Sequence, residues 1–350
     1  MPGGGGETPG RRVRDAPYAS VYFASEHRAA ALAPPMRRMR QASSMDAFYC
    51  HHFELPLPEG HRFPMSKYRL LHERVAQSAG TLGITLHEPA AASEQDLLRA
   101  HDADYVRRML SGEVDAAQMR RIGFPWSAAM VERSRRSAGG TIGALRSALD
   151  SGGLAVNLAG GTHHAARDRG GGYCVFNDAV IAARHVRAAG MARRVLLIDL
   201  DVHQGDGSAA LCADDPDTFT FSVHAARNYP AVKPPSDLDV ALPDGTADAA
   251  YLDALAHWLP RAIERAEADA AIYLAGADPF AGDRLGYLAL SKPGLLQRDR
   301  KVFRELARAG MPAAVVMAGG YAEQVEDIVD IHFATVSAAA AAHRERFAAV

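Results

Sequence analysis

The chain has 350 residues, 48% of them apolar, with 39 Lys and Arg against 41 Asp and Glu and a net charge of −2. That near-neutral balance lacks the basic excess expected of a nucleic-acid or membrane-surface binder. No apolar run approaches the roughly 20 residues of a membrane span, and the apolar fraction suffices for a sizeable core.

Residues 1–44 differ from the rest. Residues 1–10 are rich in Gly and Pro, and Arg11, Arg12, Arg14, Arg37, Arg38 and Arg40 make the stretch basic. Arg11-Arg12 has the look of a twin-arginine export signal, but Glu26, His27 and Arg28 interrupt the apolar segment such a signal needs. We therefore expect a disordered or loosely docked extension over 1–44 and a single domain over 45–350. The cysteines, Cys50, Cys174 and Cys212, have no repeating spacing. Neither a disulfide framework nor a cysteine zinc site is expected, and a reducing, cytoplasmic setting is. His51-His52 precedes the regular part of the chain, and we read that pair as structural or solvated.

From residue 154 onward, short apolar runs alternate with helical stretches. The runs are 154–158, 195–198, 218–223, 270–274 and 313–317; the helices are 177–189, 251–268, 294–309 and a last Ala-rich one over about 323–344. Near-continuous apolar strands separated by helices predict an α/β fold with a parallel sheet covered on both faces. Each run ends in Gly plus polar residues or in His: Gly160-Gly161-Thr162-His163-His164, Asp199-Leu200-Asp201-Val202-His203, His224, Gly276-Ala277-Asp278 and Gly319-Gly320-Tyr321. Functional residues of such sheets collect at the carboxyl ends of the strands, so this one-sided clustering predicts a site rim.

Asp201 and His203, two apart at the end of a strand, point the same way, and Asp278 is the expected third metal ligand. Mixed O/N ligation suits zinc or a similar ion, and three protein ligands leave a position open for water and substrate. His163 and His164 suit a proton-transfer pair better than joint ligation, because adjacent side chains in an extended loop diverge. Asp199 and Asp206 are available to orient them; Asp199 can alternatively hold a structural cation, and plain hydrogen bonding is open to both. Tyr321, after two glycines, suits stabilisation of an oxyanion. Gly172 and Tyr173 precede a helix capped by Asn177 or Asp178, and Tyr173 is either a wall of a substrate channel or a core residue. The segment Gly205-Asp206-Gly207-Ser208-Ala209-Ala210 imitates a dinucleotide fingerprint, but Asp199, Asp201 and Asp206 would repel its phosphates.

Taken together, Gly-Gly-Thr-His-His-Ala (160–165), Gly-Gly-Tyr-Cys-Val-Phe-Asn-Asp (171–178), Asp-Leu-Asp-Val-His-Gln-Gly-Asp-Gly (199–207), Gly-Ala-Asp-Pro-Phe-Ala-Gly-Asp-Arg-Leu-Gly (276–286) and Ala-Gly-Gly-Tyr (318–321) resemble the zinc-dependent histone deacetylase family. The resemblance runs from about residue 56 to 340. Ser-Val-His-Ala-Ala-Arg-Asn-Tyr-Pro (222–230) and Gly-Asp-Arg-Leu-Gly (282–286) are most similar to its class IV branch and bacterial members. It implies a three-layer α/β/α domain of the arginase/deacetylase type with about eight mostly parallel strands. It implies zinc, or ferrous iron in the cell, on Asp201, His203 and Asp278. His163 and His164 become the proton-transfer pair, oriented by Asp199 and Asp206, and Tyr321 the oxyanion donor. A structural potassium ion is implied on Asp199, Ser222 and His224, partly through backbone carbonyls. Gly172, Tyr173 and Gly320 are implied at the substrate. The related two-manganese ureohydrolases need further Asp ligands where this chain has Gly205 and Phe280, which argues against a second catalytic metal. The implied substrate is an acylated protein lysine, with acetyl or longer chains; a small acylated amine such as an acetylpolyamine is the alternative. A silent acyl-lysine-binding module is a remote third reading.

Overall fold

In the computed structural model the described residues are 20–23 and 44–348. The strands are β1 Ser20–Phe23, β2 Met45–Phe48, β3 Ile84–His87, β4 Leu154–Asn157, β5 Val195–Asp199, β6 Thr218–Ala225, β7 Leu238–Leu242, β8 Ala270–Leu274 and β9 Ala313–Val316. Among the described residues they form one sheet in the order β1-β7-β6-β5-β8-β9-β4-β2-β3. Strands β2 to β9 are mutually parallel, and β1 is antiparallel to β7 at one edge. The helices are α1 Lys67–Leu82, α2 Glu94–Leu97, α3 Ala103–Ser111, α4 Ala116–Ile122, α5 Ala128–Ser151, α6 Asp178–Ala188, α7 Asp206–Cys212, α8 Asp248–Ala266, α9 Lys292–Arg308 and α10 Val325–Ala348.

The central strands are apolar because both of their faces are covered. Leu196 and Ile198 of β5 join a core shared with Leu255, Val302 and Ile328 on α8, α9 and α10. Val195 and Leu197, pointing the other way, join a second core with Leu145 of α5 and Ile181 of α6. The same alternation divides Tyr273 from Ile272 on β8 and Val315 from Val316 on β9. The result is the expected three-layer α/β/α architecture.

The five apolar runs are strands β4, β5, β6, β8 and β9, with ends within two residues of those read from sequence. Strands β1, β2, β3 and β7 are additional. Ser20–Phe23 lies within the stretch expected to be an extension, and the rest of that stretch up to residue 43 is outside the described residues. No helix among the described residues is long and apolar enough to cross a membrane.

Register brings the strand ends level. Asp199 pairs with Ser222 of β6 and Leu274 of β8, Leu274 with Val316 of β9, and Val316 with Asn157 of β4. The loops after β4, β5, β8 and β9 therefore open on one rim, side by side.

Candidate active site

Those loops, together with the segment at Phe63, residues 120–123 and the loop after β6, line a cavity of about 520 Å³. Its lining includes His163, His164, Asp201 and His203 below, and Phe63, Tyr173, Tyr229 and Tyr321 along the walls.

At the floor, one ligand atom from each of Asp201, His203 and Asp278 lies within 4.8 Å of the others, all three residues buried. His203 Nδ1 lies 3.0 Å from Asp201 Oδ1 and 3.4 Å from Asp278 Oδ2. Backbone N–H groups hold the carboxylates: Gly319 donates to Asp201 Oδ2 at 2.8 Å and Val202 to Asp278 Oδ1 at 3.0 Å. Asp278 Oδ2 is buried, and its polar neighbour is His203 Nδ1, at the long distance of 3.4 Å. Burial and the neighbouring Asp201 push the Asp278 carboxyl up to about 7. Burial lowers the His203 pKa, but hydrogen bonds and charge from Asp201 and Asp278 outweigh it and bring the ring to about 10. Two crowded buried carboxylates, one of whose oxygens has no close hydrogen-bond donor, thus call for a cation. The backbone leaves them room: a Cβ at Gly276 would sit 2.7 Å from Asp278 Oδ1 and 2.8 Å from Asp201 Oδ2. The donor set fits a divalent ion such as zinc.

Beside this cluster stand two His–Asp dyads. His163 Nδ1 is 2.7 Å from Asp199 Oδ2, and His164 Nδ1 is 2.6 Å from Asp206 Oδ1. The two rings do not diverge as an extended loop would have them; their centroids are 4.1 Å apart. Gly160 and Gly161, at φ 82° and 79°, bend the approach to them. Burial pulls the His163 pKa down, yet Asp199 and Asp201 overcome it and raise it to about 9. Burial and the adjacent His163 lower His164 to about 4, against the pull of Asp206. Environments that drive neighbouring imidazoles apart leave one charged and one neutral at pH near 7.

Tyr321 sits against Phe63, Tyr173 and the Lys67 ammonium, with centroid distances of 6.2, 5.7 and 5.2 Å. Burial, then Asp278 and Asp201, holds its phenol well above the ordinary value, so it keeps its proton to donate. Tyr173, partly buried, forms part of an aromatic wall and packs against the second core. Gly172 also lines the cavity; a Cβ there would meet His164 Cδ2 at 2.6 Å. Gly320 turns its carbonyl away to Lys67, whose Nζ donates to it at 3.2 Å. Ser222 and His224 are buried together on β6, Ser222 Oγ 2.9 Å from His224 Nδ1. Asn177, not Asp178, caps α6 by accepting from Val180 N–H; Asp178 instead accepts from the Gly161 and Thr162 N–H groups. His51 stacks on His72 at 3.8 Å, away from the cavity.

Sequence reading assigned no role to several residues that shape this site. Tyr229 stands edge-on to His164 at 4.8 Å. Asp283 accepts from Tyr321 N–H at 2.6 Å, and Arg284 Nε donates to Tyr321 O at 2.9 Å, so the tyrosine's backbone is held at both ends. Both residues lie in the Gly-Asp-Arg-Leu-Gly motif, and that placement was the available signal. His101 Nδ1 donates to Ala166 O and its Nε2 accepts from Asn177 N–H, bracing the histidine loop from outside; nothing local to it gives a signal.

Fold and site together define a three-layer α/β protein with a buried Asp-His-Asp cluster able to hold a metal ion at the carboxyl ends of a parallel sheet. Residues 61–336 match the Histone deacetylase domain, and the chain belongs to that family. An uncharacterized protein of Picosynechococcus sp. is 44% identical over 277 residues, covering 79% of this chain and 92% of its own length. Histone deacetylase 2 of Arabidopsis thaliana is 32% identical, over 67% of this chain and 62% of its own. Histone deacetylase clr6 of Schizosaccharomyces pombe is 30% identical, over 67% and 63%. The chain thus spans less than two thirds of these two deacetylases. The crystal structure of the HDA15 HD domain has the same fold, with a TM-score of 0.70 at 20% identity over 87% of this chain and 94% of that one.

Proposed function

We propose that this chain is a metal-dependent amidohydrolase that removes acyl groups from lysine side chains. The observation that carries the reading is the convergence, in one cavity, of Asp201, His203 and Asp278 with the two His–Asp dyads and Tyr321. Asp201, His203 and Asp278 would hold zinc or ferrous iron, which would supply Lewis-acid chemistry there.

His164, the neutral imidazole, takes the proton of the attacking water at Nε2 while Asp206 holds its Nδ1–H. It later returns that proton to the leaving lysine amine. His163, kept charged by Asp199, supplies a fixed positive charge beside the reacting carbonyl. The Tyr321 hydroxyl donates to the oxygen on which negative charge develops. Phe63, Tyr173 and Tyr229 exclude water from the alkyl part of the acyl-lysine. Asp199, Ser222 and His224, with backbone carbonyls, form an oxygen-rich set suited to potassium, a hard cation.

Charge at the entrance favours acyl-lysine over acetylpolyamine. Among the described lining residues the carboxylate is that of Asp201, on the floor, whereas Arg120 and Arg121 are exposed. A polycation would meet like charge there. The buried free cysteines suit a reducing, cytoplasmic setting.

The test is hydrolysis of one lysine peptide carrying acetyl, butyryl, octanoyl or myristoyl, with Tyr321→Phe as control. Activity greatest on acetyl identifies a short pocket, and activity greatest on the long chains a fatty deacylase. Mutant-sensitive activity on none of them refutes the reading.

A further inference from the structure

Helix α9 carries an ion pair, Arg298 and Asp299, that is 0% and 1% exposed. Arg298 Nε donates to Asp299 Oδ1 at 2.9 Å. Its Nη1 donates to two main-chain carbonyls, Gly276 at 2.6 Å and Leu200 at 3.3 Å. Asp299 is anchored in turn: Tyr273 on β8 donates to its Oδ1 and Thr335 on α10 to its Oδ2, each at 2.6 Å.

The two carbonyls are informative. Leu200 immediately precedes Asp201, and Gly276 lies two residues before Asp278. One guanidinium nitrogen therefore spans the loops after β5 and β8, which supply all of the Asp-His-Asp cluster. Gly276 also packs against both carboxylates, since a Cβ on it would come within 2.8 Å of each. Movement of that peptide would pass directly to Asp201 and Asp278.

Stability alone does not account for the pair. A buried ion pair is often no more stabilising than apolar side chains of like volume. Apolar side chains, however, cannot donate to carbonyls on two loops at once. A planar guanidinium does so from a fixed fork while its other edge stays on Asp299.

We infer that Arg298, anchored by Asp299, is a positioning residue that sets the spacing of the Asp201 and Asp278 carboxylates and hence how tightly a metal ion is held. The inference rests on the metal centre proposed above. It is tested on the full chain, stripped of metal, by measuring Zn²⁺ affinity by chelator competition, the visible absorption of the Co²⁺ form and the thermal midpoint. Arg298→Lys keeps a charge against Asp299 but loses the fork. The double variant Arg298→Met with Asp299→Asn removes both charges and guards against misfolding. Thr335→Val is the control, because it touches Asp299 and neither carbonyl.

Both Arg298 variants should bind Zn²⁺ roughly 10–100-fold more weakly, the usual effect of removing support from behind metal ligands. Their Co²⁺ spectra should change. Thr335→Val should lower the midpoint and leave both metal readouts unchanged. A folded Arg298 variant that binds Zn²⁺ as the wild type does, with the same Co²⁺ spectrum, overturns the inference. So does Thr335→Val weakening Zn²⁺ as much as Arg298→Lys. Failure of the wild type to bind Zn²⁺ or Co²⁺ overturns the metal centre itself, a result distinct from equal binding by wild type and variant.

Discussion

Acid should destabilise this fold through His101, by an amount that follows from its contacts. The ring is 3% exposed, and both nitrogens are committed in the neutral form: Nδ1 donates to Ala166 O at 2.8 Å, and Nε2 accepts from Asn177 N–H at 3.0 Å. A second proton, on Nε2, would face an N–H. Burial, opposed by hydrogen bonds to the Ala166 and Arg167 backbone, lowers its pKa from 6.5 to about 4. Between those values the unfolded chain binds more protons than the folded one. The stabilisation is therefore complete above pH 6.5 and is lost as pH falls toward 4. Linkage over that window gives a loss of ~2 kcal/mol at pH 5, rising to roughly 3 kcal/mol near pH 4. Urea denaturation of metal-stripped wild type and His101→Gln across this range is the assay, since Gln offers a donor and an acceptor without titrating. The gap in unfolding free energy between the two proteins should shrink by ~2 kcal/mol from pH 7.5 to pH 5. A gap independent of pH would refute the argument that His101 is neutral in the fold. Because Asn177 also holds the His163 and Ala165 carbonyls through its side-chain amide, activity should decline in the same window.

Further consequences are open to direct measurement. Tyr321→Phe should lower kcat by roughly 10²–10³-fold, the scale of losing one oxyanion donor; normal turnover would remove Tyr321 from the mechanism. At Gly319 a Cβ would overlap Asp278 Oδ2 and lie 2.6 Å from Asp201 Oδ2. Gly319→Ala should therefore lose bound metal by elemental analysis with its circular dichroism intact, and full metal content would contradict the ligand assignment. Asp283→Ala leaves the N–H groups of Leu285, Gly286 and Tyr321 without their acceptor, at about 1–3 kcal/mol for each that stays unsatisfied. An unchanged denaturation midpoint would mean that water replaces the carboxylate.

Much of the sheet was legible because its central strands are buried on both faces. Leu196-Leu197-Ile198 and Ala270-Ala271-Ile272 read as continuous apolar runs, and the polar residues that follow them mark the rim. Of the strands not read from sequence, β2, β3 and β7 lack that signal. Asp46 interrupts β2, Thr85 and His87 interrupt β3, and Asp239 interrupts β7. Asp46 pairs with His87 at the sheet's edge, and Asp239 accepts from the Ser236 N–H, partners that only the tertiary fold supplies. The positions of the site residues were legible from His163 to Tyr321, since chemistry-bearing residues clustered after successive strands. The contacts that brace them were not. His101, Lys67 and Arg298 are single polar residues in helical or loop segments, where such a residue ordinarily faces water. Their roles depend on carbonyls far away in sequence: Ala166, Gly320, and Leu200 with Gly276.

The central claim is hydrolysis at a metal held by Asp201, His203 and Asp278. The most direct measurement is release of the acyl group from an acyl-lysine peptide by wild type and Asp201→Ala, each stripped with chelator and then titrated with Zn²⁺. The account predicts that stripped wild type is inactive and recovers on binding a single ion, while Asp201→Ala neither binds that ion nor recovers. Turnover that survives chelation, or an Asp201→Ala variant that keeps both metal and activity, would contradict it.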